Sequence, residues 1–219
     1  VTQSLKIFSY LPNPRVWKAQ IAGDLCGVNV TVVGDKPAQL GNWLWDANPR
    51  QLTDADRTTD NPNARVSRRG FSGTLYKTDS FLQAHPFGTV PAGFFNATDN
   101  AADSQQTTGI FESNSILRSV VRASDAQHTL YGSNHWEASR IDSFLDANLV
   151  FAREAQVYLL AMENMSADIH TRMAGAYEFY LSGLESALAR STHIAGNHLT
   201  IADISFVCDF AQFLREGHY

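Results

Sequence analysis

Within the first 33 residues two strand-like segments flank one amphipathic helix, and that order constrains the fold more than any other feature of the chain. Residues 5–9, LKIFS, alternate apolar and polar, and residues 28–33, VNVTVV, are β-branched. Between them residues 15–27 read as a helix, with Val16, Ala19, Ile21, Ala22 and Leu25 as its apolar stripe and Gly27 placed for a C-terminal cap. Strand, helix, strand at this spacing predicts a right-handed βαβ unit with a parallel pair. Ligands of such units gather at the carboxyl ends of the strands, beside the helix N-terminus. Residues 10–15, which include two prolines, therefore stand at the mouth of any site.

A second stretch, residues 109–122, GIFESNSILRSVVR, predicts a strand end, a sharp turn and a helix. Ile116, Leu117, Val120 and Val121 recur at helical spacing, with Arg118 and Arg122 on the other face. The first turn, Glu112-Ser113-Asn114-Ser115, carries backbone N–H groups without helical partners and the positive end of the helix dipole, so it attracts a carboxylate. The Ser113 hydroxyl suits one oxygen of that carboxylate, and Glu112 suits an ammonium. Together they fit an α-amino acid head group; the other reading is a helix cap and nothing more.

Between these stretches, residues 34–78 are the least regular part, with Pro37, Pro49 and Pro62 and a basic patch of Arg65, Arg68 and Arg69. Their length suggests a lid, an ordered surface loop or a partner contact, or more blandly a solvated insertion. A short helix is expected over residues 79–84. In Thr89-Val90-Pro91 the proline precedes a strand, and a cis Val90–Pro91 bond there would leave the Val90 backbone facing outward to pair with an extended peptide. Phe94 and Phe95 continue this strand, residues 108–111 supply its hairpin partner, and residues 96–106 form a polar connection.

Beyond about residue 125 the pattern becomes helical, with helices expected over residues 136–161, 166–189 and 200–215. Thr200 and Asp203 in LTIAD have capping-box form. The domains read as an α/β domain over residues 1–122, with an insertion at about 34–78, and an all-α domain over residues 130–219.

Composition narrows the function classes. A net charge of −5 and a pI of about 5.8 argue against direct nucleic-acid binding. No apolar run is long enough to cross a bilayer, and the start does not read as a signal peptide. Cys26 and Cys208 have no metal or redox spacing and read as structural thiols inside helices of a cytoplasmic protein. No cluster of His, Cys or carboxylates has ligand spacing, so no metal site is expected. Three N-x-S/T sequons, at Asn29, Asn96 and Asn164, are close to what the Asn, Ser and Thr content gives by chance.

Phe87-Gly88-Thr89-Val90-Pro91, Phe111-Glu112-Ser113-Asn114-Ser115-Ile116 and Leu199-Thr200-Ile201-Ala202-Asp203 together resemble, in order and spacing, the cis-proline turn, glutamate–serine motif and helical-domain capping box of the cytosolic glutathione transferases. The resemblance covers nearly all of the chain apart from residues 34–78. Asn13-Pro14-Arg15, Lys18-Ala19 and Ile21-Ala22 resemble the first-helix pattern of the transferase-like domain of the elongation factor complex gamma subunit. Family members usually add helices beyond LTIAD, and this chain begins with Val, so a processed or shortened chain is expected.

The resemblance implies a thioredoxin-like N-terminal domain, a helical C-terminal domain, glutathione as co-substrate, a small electrophile and a homodimer. In that dimer the α/β domain of one subunit faces the helical domain of the other. Val90, Pro91, Glu112 and Ser113 would bind the tripeptide, with Arg15 adding positive potential. Thr89 stands where many members carry a basic residue, so His85 or an arginine of residues 34–78 would meet the glycine carboxylate. Gln106, Asn114 and Arg118 are candidates by proximity alone.

A free thiol is mostly protonated at neutral pH and needs a donor to hold its anion. Ser9, Tyr10 and Asn13 compete for that role, Asn13 first because it precedes the helix and its amide donates without ionising, Tyr10 second. The electrophile would be chosen by side chains of residues 136–165 and by the 34–78 segment. Two function classes remain: a glutathione transferase, or a non-catalytic scaffold that helps assemble an elongation factor with its other subunits.

Overall fold

The computed structural model describes residues 3–67, 71–95, 108–124 and 129–216. Arg68, Arg69, Gln106, Asn96 and the 96–106 connection lie outside the described residues. The chain divides into two compact units, Val1–Ser124 and Asp125–Tyr219.

The first unit is built on β1 (Ser4–Tyr10), α1 (Pro14–Cys26) and β2 (Asn29–Asp35), with β1 and β2 parallel, Ser4 level with Asn29 and Tyr10 with Asp35. α1 starts where Pro14 sets the first helical φ and Asn13 caps it, and it stops at Gly27, whose φ of 70° favours a residue without Cβ. β7 (Ala92–Phe95) runs antiparallel to β1, and β8 (Thr108–Phe111) antiparallel to β7, giving the order β2-β1-β7-β8. α3 (Ser113–Ala123) follows β8 after one residue and buries Ile116, Leu117, Val120 and Val121, as the spacing predicts. This is a thioredoxin-like mixed sheet.

The α1 stripe needs correcting. Val16, Ala19 and Ala22 are buried, but Ile21 and Leu25 are exposed, and the buried face takes Lys18 instead. The reason is tertiary: α1 packs against α3, and the facing surface of α3 offers polar acceptors to an ammonium.

Residues 34–78 are not a solvated insertion. They hold β3 (Trp43–Trp45), β4 (Arg50–Gln51), β5 (Ala64–Val66) and β6 (Thr74–Lys77) in a second four-stranded sheet of order β4-β3-β6-β5. β3 and β6 are parallel and the outer pairs antiparallel. From this sheet and the turn before it, Leu40, Trp45 and Leu75 join Phe8, Phe94 and Phe81 of α2 (Asp79–Ala84) in one core. Trp45 stands edge-on to Phe8 at 5.4 Å and to Phe81 at 5.8 Å, and its indole N–H donates to the Leu40 carbonyl at 3.1 Å. The main sheet is thus covered on both faces. Gly93 of β7 stands against α3 on the other side, where an added Cβ would come within 3.3 Å of Ile116.

The second unit is helical: α4 (His135–Leu160), α5 (Ala167–Leu188) and α6 (Ile201–Glu216). Asn134 caps α4 by accepting from Trp136 and Glu137 N–H, and Ser166 caps α5. Before α6 the Asp203 carboxylate reaches back to the Thr200 N–H at 2.8 Å and also takes the Ile194 N–H at 2.9 Å. Asp thus performs the capping-box role with a loop donor added. α4 packs against both α5 and α6, around Phe151, Ala155 and Met173. An apolar cavity of about 670 Å³, lined by Phe144, Phe151, Phe179, Tyr180, Phe206 and Asn148, opens among the three helices. No helix among the described residues is long and apolar enough to cross a membrane.

Candidate functional site

Three chain segments meet at one end of the main sheet. β1 and β7 pair with Phe8 level with Ala92, so the register carried two residues further sets Tyr10 beside Val90. β7 and β8 pair with Ala92 level with Phe111, so the same extension sets Val90 across from Ser113, the first residue of α3. Tyr10 at the end of β1, Val90 just before β7 and Ser113 at the head of α3 therefore lie at the same end of the sheet.

Val90–Pro91 is cis, as the turn sequence predicts, and Leu11–Pro12 at the same end of the sheet is cis as well. Pro91 is buried while Thr89 is exposed and Val90 half-buried. Among the described residues neither the N–H nor the C=O of Val90 has a hydrogen-bond partner. β7 itself is flanked by β1 and β8 from Ala92 onward, so the open edge is confined to the Val90 peptide ahead of it, which is able to take an extended peptide.

Across this edge, Glu112 is exposed and holds φ 69°, ψ 125°, the one non-glycine positive φ among the described residues. That conformation costs about 1–3 kcal/mol and occurs mostly at functional sites. It turns the chain sharply from β8 into α3, and the Glu112 carbonyl accepts the Ile116 N–H at 2.9 Å. Ser113 follows, 7% exposed. Its hydroxyl oxygen accepts from Lys18 Nζ at 3.3 Å, and the same ammonium donates to Asn114 Oδ1 at 3.0 Å. Among the described residues nothing accepts the Ser113 hydroxyl proton. The first turn of α3 thus keeps an oriented O–H beside backbone N–H groups, the chemistry of a carboxylate receptor.

Two expectations fail on geometry. Asn13 is 1% exposed; its Oδ1 accepts the Arg15 N–H at 3.0 Å and its Nδ2 donates to Ser9 Oγ at 3.0 Å. It is a helix cap turned inward, with Ser9 fully buried behind it, and it does not face a thiol. His85 is 1% exposed inside a ring of Phe81, Phe94 and Phe111 at centroid distances of 5.2, 4.8 and 6.0 Å. Burial drives its pKa from 6.5 down to about 4, opposed weakly by the nearby Gly93 backbone, which does not reach hydrogen-bond geometry with either ring nitrogen. A neutral, enclosed imidazole cannot meet a glycine carboxylate.

Tyr10 is half-buried and packs on the aromatic core with Trp43 and Val90. Arg15 is half-buried on the first turn of α1, and Arg118 half-buried on α3, and neither is free of partners. Arg65, the described member of the basic patch, pairs with Asp79 at 3.1 Å and with the Pro62 carbonyl.

Sequence reasoning missed two lysines. Lys77 ends β6, its Nζ donating to the Gly88 carbonyl at 2.6 Å and lying 4.5 Å from the centre of the Trp45 ring, with its pKa lowered by burial. It ties the second sheet to the cis-proline turn, and only the pairing of short strands brings it there. Lys18 was visible in the Lys18-Ala19 pattern of α1, but nothing in its spacing marks it as buried. Among the described residues no three His, Cys, Asp or Glu side chains gather as a metal site.

A thioredoxin-like sheet with a cis-proline edge and a serine-headed helix, followed by a helical unit, is the fold of the cytosolic glutathione transferases. A Bombyx mori glutathione transferase matches with a TM-score of 0.64 over 99% of this chain and 80% of that one, at 15% identity. A Phanerochaete chrysosporium glutathione transferase solved with oxidized glutathione matches with a TM-score of 0.63 over 98% of this chain and 80% of that one, also at 15% identity. In sequence the chain is similar to elongation factor 1-gamma. It is 29% identical over 159 residues to elongation factor 1-gamma 2 of Oryza sativa subsp. japonica, which is 66% of this chain and 34% of that protein. To elongation factor 1-gamma of Artemia salina it is 29% identical over 140 residues, 62% of this chain and 29% of that one. The chain spans about a third of the length of these curated relatives. No protein-family model matches it.

Proposed function

We propose that the chain binds glutathione at the end of the sheet where Tyr10, Val90 and Ser113 lie, and uses its thiolate on a small electrophile. The observation that carries this reading is the unpartnered Val90 backbone, at a cis-proline edge, at the same end of the sheet as the unclaimed Ser113 hydroxyl proton. The cysteinyl backbone would pair with Val90 as an added strand, the γ-glutamyl carboxylate would sit on the first turn of α3, and exposed Glu112 would take its ammonium. With His85 enclosed and Thr89 uncharged, Lys77, which donates to the Gly88 carbonyl of the cis-proline turn, replaces His85 in the proposal for the glycine end. With Asn13 turned inward, Tyr10 moves ahead of it as donor to the sulfur. A homodimer belongs to the same reading.

A second reading, a scaffold that keeps the site and assembles with elongation-factor subunits, is supported by the inward Asn13 and by the elongation factor 1-gamma relatives. One experiment separates the two. Equilibrium binding of glutathione and thiol conjugation to several activated aryl halides are measured on wild type, Ser113→Ala and Tyr10→Phe. The transferase reading expects binding and turnover, with binding weakened about tenfold by Ser113→Ala and turnover reduced by Tyr10→Phe. Binding without turnover supports the scaffold, and no binding at all removes both forms of the site.

A further inference from the structure

Lys18 is 1% exposed, on the face of α1 that packs against α3, and its ammonium lies beneath the first turn of α3. One feature of this placement concerns the ligand and not the helices. An ammonium has three donors and no acceptor, so Ser113 can meet it only as acceptor, which leaves the Ser113 hydroxyl proton to be given elsewhere.

We infer that Lys18 is a positioning residue for the carboxylate receptor: by claiming the acceptor side of Ser113 and holding Asn114, it aims the Ser113 O–H at the γ-glutamyl α-carboxylate. This rests on the glutathione reading above. The chemical class it selects is an α-amino acid head group, or more narrowly its carboxylate.

The test compares two ligands on four proteins: glutathione, and γ-aminobutyryl-cysteinyl-glycine, which lacks only that carboxylate. The proteins are wild type, Lys18→Met, Lys18→Gln and Ser113→Ala, each checked for folding by circular dichroism. Lys18→Met removes the donor at similar length. Lys18→Gln supplies an acceptor that can capture the Ser113 proton, and it decides the matter if the Met variant does not fold. The expected result is that either Lys18 variant weakens glutathione about tenfold while changing the analogue less than about twofold. A merely structural lysine would weaken both ligands alike, and that outcome overturns the inference. Folded Lys18 variants that bind glutathione as wild type does, while Ser113→Ala binds it more weakly, also overturn it and leave the site standing. If Ser113→Ala too leaves glutathione binding unchanged, the carboxylate receptor itself is wrong.

Discussion

Acid should destabilise the α/β unit through one side chain, His85. The imidazole is sealed among Phe81, Phe94 and Phe111, and its pKa falls from 6.5 to about 4 because burial disfavours the charged ring. The folded state therefore binds this proton less readily than the unfolded chain does. The contribution is fully present above pH 6.5 and is lost as pH falls toward 4. From the two values the loss is about 2 kcal/mol by pH 5 and about 3 kcal/mol by pH 4, where it begins to level off. The assay is urea unfolding followed by tryptophan fluorescence at pH 7.5, 6 and 5, on wild type and His85→Leu. Three of the four tryptophans, Trp17, Trp43 and Trp45, lie in the unit that holds His85. Titrating carboxylates act on both proteins, so the difference between the two profiles isolates the imidazole. Wild type should lose about 2 kcal/mol more than the variant between pH 7.5 and 5. Parallel profiles would show that the ring is not held neutral and would refute the burial argument.

Two further outcomes follow from the fold and the site. Trp45→Ala should cost about 3–5 kcal/mol in unfolding free energy, because Trp45 is fully buried among Phe8, Phe71 and Phe81; a change near zero would return residues 34–78 to the status of a surface insertion. Glu112→Gly should raise stability by about 1 kcal/mol, the relief of positive-φ strain less the added chain entropy of glycine, while weakening glutathione binding. A variant no more stable than wild type in a thermal melt would show that Glu112 stores no strain.

The local motifs were legible where short-range chemistry writes them. Val90–Pro91, Glu112-Ser113 and the Thr200–Asp203 cap each lie within a few residues: the cis bond falls at a proline and the cap forms as its residue types prefer, while Glu112 adopts a disfavoured positive φ to turn β8 into α3. The second sheet was not legible. Its strands run two to four residues, too short to display alternation, and β3 finds β6 more than 30 residues away. Asn13 illustrates the same divide: its place before Pro14 marks a helix start, but not which way the amide turns.

By itself, then, the sequence determined the order of strands and helices outside residues 34–78, the cis turn and the head of α3, because backbone propensity, periodicity and capping are local properties of the chain. Tertiary structure decided what is sealed and what is offered. It enclosed His85 in aromatic rings, turned Asn13 toward Ser9, sank Lys18 beneath Ser113 and brought Lys77 to the cis-proline turn. Those outcomes depend on which surfaces pack across tens of residues, and burial sets both the charge state and the reach of every polar group in the site.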